Sequence, residues 1–138
     1  MAITYQAIED AIRSRFNTQI TVAQNVTTLF DNQDVEPPTQ GQWIRFTIIP
    51  GETEQVEFGI KKRFRHFGIT TAQIYDEIGK GTKAINLLVN AINTAGVFRS
   101  VSVGGVVYRT PSILRVGRVA NWYQVNVNVP YYADDVEI

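Results

Sequence analysis

The chain has 138 residues and a formal net charge of zero, with 44% hydrophobic and 19% charged residues, which fits one soluble domain with a real core. It has no cysteine and one histidine, His66, so disulfides, thiolate metal sites and cysteine nucleophiles are excluded and a histidine-rich metal centre cannot be built. No apolar run approaches the roughly 20 residues that cross a bilayer, and the opening "MAITYQAIEDAIRSRF" lacks a basic-then-apolar leader, so neither membrane insertion nor export by the usual route is expected.

The first predicted element is a helix over Thr4 to Asn17. Tyr5, Ile8, Ile12 and Phe16 share one face by their spacing, Glu9, Asp10, Arg13 and Asn17 take the other, and Thr4 is placed to cap it. Thr18 to Phe30 is β-branched and mixed, and predicts one short strand. "DNQDVEPPTQGQ" follows as a surface loop, its adjacent prolines unable to donate ladder hydrogen bonds. Trp43 to Ile49 reads as a central strand, apolar on both faces and stopped by Pro50 and Gly51. "GETEQVEFGIKKRF" is then either a long exposed hairpin arm or two short edge segments.

"HFGITTAQIYD" predicts a strand with Phe67, Ile69, Thr71 and Tyr75 on one side and Thr70, Ala72 and Ile74 on the other. After a turn at Gly79 to Gly81, a second helix runs from Lys83 to Ala95 with Thr82 as its cap. Its residues Ala84, Ile85, Leu87, Leu88, Val89, Ala91, Ile92 and Ala95 fill an arc of roughly 200°. One sheet needs a stripe of only about 100° or somewhat more. The excess predicts burial on two sides, against the sheet and against either the first helix or a neighbouring subunit.

"FRSVSV" and "VVYRT" flank Gly104-Gly105 as a tight hairpin, and "SILRVGRV" is a further strand. In "WYQVNVNVPYY", Tyr123, Val125, Val127, Val129 and Tyr131 alternate with Gln124, Asn126 and Asn128, giving a core face and a polar face. Pro130 is expected at an edge or sheet margin, and "ADDVEI" as a frayed acidic tail. The fold class that follows is α+β in a single domain over residues 1–138. It is a mixed or antiparallel sheet with two main helices on one face and a protruding hairpin or loop arm.

"YDEIGKGTKAINLL" has the look of a phosphate loop, but the Walker pattern fails: Gly81 stands where Ser or Thr belongs, and Ile74 where the first glycine belongs. A turn that starts a capped helix is the simpler reading. "KKRFRH" (Lys61, Lys62, Arg63, Arg65, His66) is a basic cluster with interleaved Phe64 and Phe67. It could meet phosphate, an acidic partner or nucleic acid, or form a solvated arm with Phe64 packed inward. The neutral balance of the whole chain favours the arm. His66 lacks a carboxylate or serine at a telling spacing. Asp76-Glu77 is ordinary near a helix start, and Asp134, Asp135 and Glu137 read as tail. No catalytic constellation emerges, and no enzyme, cofactor or metal is expected.

Charge is segregated along the chain. Residues 1–57 hold three basic and eight acidic residues, 58–118 ten basic and two acidic, and 119–138 three acidic and none basic. Either the fold cancels these segments internally or opposite surfaces join neighbouring copies.

The order and spacing of several blocks carry a resemblance. These are the helix "YQAIEDAIRSRF", Asn25-Val26, "WIRFTIIPGETEQV", the central "RHFGITTAQIYDEIGKGTKAINLLVNAI" and the closing "GRVANWYQVNVNVPYYADD". Over nearly its whole length the chain resembles the tail terminator proteins of long-tailed bacteriophages, and no single motif is specific. The resemblance implies a structural virion protein at the head-proximal end of the tail, assembled in the host cytoplasm. It would form a ring, typically of six subunits, that caps the tail tube, stops its polymerisation and offers a surface to the head–tail connector. DNA could pass through such a ring, but no specific nucleic-acid binding, membrane or cofactor is implied. The "GKG" segment would be the turn from strand to packed helix.

A ring needs two different complementary surfaces on one subunit. The candidates are Glu52, Glu54 and Glu57 at the arm base, Lys61, Lys62, Arg63 and Arg65 at its end, and Asp134 and Asp135 near the C-terminus. The competing readings are another head–tail connector or completion protein and, in a different class, a small nucleic-acid-binding module using Lys61 to His66.

Overall fold

Helix α1 spans Tyr5–Phe16 and buries Ile8, Ile12 and Phe16. Its polar face is tied by Gln6 donating to Asp10 at 2.8 Å and by the Glu9–Arg13 pair at 3.4 Å. The helix then widens into a π-helical stretch, Asn17–Val22, that buries Ile20. Steps of four overshoot an α-helical turn of 3.6 residues, so the apolar line drifts around the cylinder. The wider i→i+5 winding turns less per residue and brings Ile20 back to the core side.

The computed structural model describes residues 5–22, 25–31, 36–57, 59, 63–79, 81–94, 102–103 and 106–136. The Thr4 cap, Lys61, Lys62, Lys80, Ala95 and the Gly104-Gly105 turn lie outside them, as do residues 32–35. Where one strand was expected between Thr18 and Phe30, the chain makes the π-helical stretch, a turn with Asn25 at φ 52°, and then β1, Thr27–Leu29.

Three strands of 15 residues dominate the rest: β2 (Trp43–Glu57), β3 (Arg63–Glu77) and β7 (Trp122–Val136). Helix α2 (Lys83–Thr94) follows β3, and β4 (Ser102–Val103), β5 (Val106–Tyr108) and β6 (Ser112–Val119) precede β7. The sheet order is β1-β2-β3-β7-β5-β4, with β6 also along β7. Among the described strands, only β1–β2 is parallel. This is the expected α+β architecture.

Register places the core. Ile44, Ile74 and Val125 form one cross-strand row, Phe46, Ala72 and Val127 the next, and Ile48, Thr70 and Val129 a third. All are buried, and the apolar sides of α1 and α2 join the same core. Phe16 stacks on Phe46 with centroids 4.1 Å apart. Thr70 is the polar member of these rows, and its hydroxyl donates to the Val129 carbonyl at 3.1 Å, which removes the cost of burying it unpaired.

Two proline expectations are corrected. Pro50 does not stop β2, which runs through it with an irregularity between Pro50 and Thr53. The Ile48 N–H points away from β3, donating to Asp31 at 3.0 Å, so two residues on the missing Pro50 N–H also faces the outer side, where no ladder bond is lost. Pro130 lies inside central strand β7 rather than at a margin. Its carbonyl accepts from Arg109 N–H at 2.8 Å, so its ring nitrogen faces the same side. There β6 pairing ends at Asn128 and β5 pairing begins at Tyr131, and the proline falls in the gap.

The segment after Gly51 is a long hairpin arm, with β2 and β3 paired as far as Glu57 and Arg63. The frayed tail is corrected too: through Val136 the acidic segment is a strand paired with β3 along the arm. Gly68 explains how the chain passes Tyr131, because a Cβ there would lie 2.4 Å from the buried tyrosine ring.

Candidate interaction surfaces

The glycine turn between β3 and α2 uses Gly79 at φ 90° and Gly81 at φ 71°, conformations that glycine adopts without a Cβ penalty. Thr82 stands at the helix start, its carbonyl accepting from Asn86 N–H at 2.9 Å. The shallow groove here, about 300 Å3, is lined by Glu77, Ile78, Gly79, Gly81, Thr82, Arg118 and Tyr123. With acidic Glu77 in its lining and no Walker pattern in the sequence, the geometry is that of a turn.

Asp76 and Glu77 have a different task, which their position beside a helix start concealed. Buried Asp76 accepts from the Glu77 N–H at 2.8 Å and from the Gln42 amide at 3.4 Å, and Glu77 accepts from Gly41 N–H at 3.2 Å. The pair fastens the end of the proline loop to β3. Beside it Trp43 stacks on Tyr75 with centroids 4.2 Å apart, and Trp122 meets Trp43 edge-on at 5.9 Å. His66 shares a 2.9 Å hydrogen bond with the Thr53 hydroxyl across the hairpin.

The arm brings together residues from all three charge segments. Glu54, Arg65 and Asp134 are cross-strand neighbours. Arg65 holds Asp134 in a fork, Nε to Oδ1 at 2.8 Å and Nη2 to Oδ2 at 3.1 Å, and Arg63 approaches the same carboxylate at 4.0 Å. The hydrogen bond from Arg65 is the main cause that holds the Asp134 carboxyl below its usual range; the same bond raises Arg65. Arg65 also lies over Tyr132 at 4.4 Å, and Arg109 lies over Tyr132 and Phe67 at 5.3 and 5.9 Å.

Of the proposed contact residues, Arg63, Arg65 and Asp134 are therefore gathered together within one subunit. Glu52 and Glu54 are exposed. Lys61 and Lys62 lie outside the described residues, as do the side chains of Glu57 and Asp135.

Among the described residues, besides Val22 at the end of the π-helical stretch, exposed apolar side chains lie at three places apart from the core. On the sheet face opposite the helices, Ile49 and Ile69, with 54% and 45% exposure, flank a groove of about 320 Å3 with Pro50, Phe67 and Pro130. On α2, Leu87 is 61% exposed beside a groove of about 330 Å3 shared with Ala84, Asn25 and Val26. On β6, Ile113, Leu114, Val116 and Val119 are all exposed. Sequence reasoning named none of the β6 residues as a surface. A strand apolar on both faces reads the same whether its cover comes from its own chain or from another.

A family model described as "phage tail terminator protein" matches residues 7–131. No curated protein matches the sequence. Fourteen chains in solved structures are similar to this one. One of them, named only by a sequence identifier, shares 18% identity over 94% of this chain and 96% of its own, with a TM-score of 0.64; at that identity the likeness shows the fold alone.

Proposed function

The chain belongs to the phage tail terminator family, a structural family of the virion tail, and from that premise we propose that it assembles into a ring of about six copies on the head-proximal end of the tail tube. The ring stops tube polymerisation and offers its free face to the head–tail connector. The observation that carries this reading is the exposure of apolar side chains at separate places, on β6, on α2 and beside Ile49 and Ile69. Large apolar side chains left exposed in a group, as along β6, fit contacts with other proteins. A ring subunit needs at least two unlike contacts to neighbouring copies, and a tube cap needs others along its axis. The arm, with Glu52, Glu54, Glu57, Lys61, Lys62, Arg63, Arg65, Asp134 and Asp135, extends the sheet and is assigned to contact with a neighbouring copy or the tube.

A nucleic-acid role for the Lys61–His66 segment is less well supported. Arg65 is already held by Asp134 and stacked on Tyr132, and Phe67 is covered by Arg109. The deciding experiment adds purified protein to polymerising tube protein and follows tube length by electron microscopy. Short tubes with density at one end are expected. Tubes of unchanged length and bare ends would reject the proposal, and a DNA shift with a steep salt dependence would favour the nucleic-acid reading.

A further inference from the structure

Two edges that the described strands leave open, along β2 and along β6, differ in character. On one side, β1 covers β2 only from Trp43 to Arg45, and no other described strand lies beside β2 there. From Phe46 to Glu57 this strand carries three glutamates and no basic residue. On the other side, among the described strands β6 pairs with β7 alone. It carries Arg115 and Arg118, no acid, and four exposed aliphatic side chains. Natural sheets usually blunt or cover such an edge, because a long exposed apolar strand is a template for pairing.

Resting on the ring reading above, we propose that neighbouring copies join edge to edge, with β6 of one laid beside the arm half of β2 in the next, so that the sheet continues through the ring. Strand sense allows it. The steps β2 to β3, β3 to β7 and β7 to β6 are each antiparallel, so three reversals leave β6 antiparallel to β2. A second copy, set alongside in the same sense with its helices on the same face, presents its β2 correctly for an antiparallel ladder.

Level along the strands selects the arm. Through β7 and β3, Leu114 lies level with Arg45, where β1 already occupies the β2 edge, and Ser112 with Thr47, just past the end of β1. The free stretch begins near Ile49. Reaching it requires a stagger between copies, and a stagger is what closing a sheet with tilted strands imposes. Pro50 removes one donor from this edge, so contact there depends on side chains, with backbone pairing on the residues beyond. The exposed carboxylates of Glu52 and Glu54 then face a strand whose only charges are Arg115 and Arg118, a match that favours β6 over a second β2.

Because the chain has no cysteine, cross-linking is clean. A panel would combine Ser112→Cys or Leu114→Cys with Ile49→Cys, Glu52→Cys or Glu54→Cys, oxidised under conditions where native mass shows the ring. At least one pair is expected to give a ladder of covalent multimers, because disulfides form only between Cα atoms within about 7 Å. Arg115→Glu with Arg118→Glu is expected to weaken ring formation about tenfold or more, with thermal unfolding unchanged, and Glu52→Arg with Glu54→Arg to restore it.

A ring that persists in the charge-reversed protein, with no cross-link from any pair, would overturn the edge contact and leave the ring reading standing. Absence of any ring for the unaltered protein in the presence of tube ends would remove both.

Discussion

Gly68 shows how one missing side chain is tied to a large one. Its position opposite Tyr131 leaves no room for a Cβ, and Tyr131 is buried with Tyr108 as its neighbour on β5. Gly68→Ala should therefore lower stability by about 1–3 kcal/mol through overpacking, despite the gain a strand usually makes from losing glycine. A urea midpoint equal to or above that of the unaltered protein would contradict this. The Arg65–Asp134 fork makes a second prediction. The carboxyl is held below its unfolded value of about 3.9, so its contribution is present above about pH 4 and is lost as pH falls through the lower folded value. With both side chains 27% exposed, it is worth about 0.5–1 kcal/mol. Asp134→Asn should remove that part of the acid sensitivity, seen as a smaller change in arm hydrogen exchange between pH 6 and pH 3; an unchanged difference would show that the fork is idle. None of this was readable in sequence. Arg65 and Asp134 lie 69 positions apart, and only the sheet register makes them neighbours.

Among elements, α2 separates what packs at home from what does not. Ile85, Leu88, Val89 and Ile92 are buried, while Leu87 is mostly exposed. Ile85→Ala should cost about 2–5 kcal/mol, and Leu87→Ala should change the stability of the single subunit by no more than about 0.5 kcal/mol. Comparable losses for both would mean that the helix is covered differently. The 3.6-residue period was legible from the chain, and so was its excess width. The sheet covers part of that width, and Leu87 and Ala84 stay exposed on the side for which the sequence predicts the first helix or a neighbouring subunit as cover. The alternation of β7 was legible for the same reason: one buried face leaves a period of two. Both proline readings failed on one point. A proline weakens a ladder only on the side its nitrogen faces, and the neighbour on that side is a tertiary fact. The tail was misread as frayed because its acidic composition concealed a pairing with the basic end of the arm.

For the whole molecule, segregated charge along the sequence is partly resolved in space. Glu54, Arg65 and Asp134, one from each segment, form a single cross-strand row, so part of the imbalance cancels inside the subunit. The acidic β2 edge and the basic β6 edge remain on opposite flanks of the sheet. That layout suits association in one sense around an axis, and it predicts that ring formation weakens with salt, since exposed pairs are screened within about 10 Å at 0.1 M. The family match and the α+β fold agree with the resemblance carried by the spacing of sequence blocks; the β6 flank had no motif to announce it. The most direct measurement is the native mass of the 15.5 kDa chain, alone and with tail-tube ends, with electron microscopy of the same samples. A closed assembly of about six copies is expected, seated on one end of each tube, which then grows no further. A particle that remains one copy at every concentration, beside tubes that lengthen with bare ends, would contradict it.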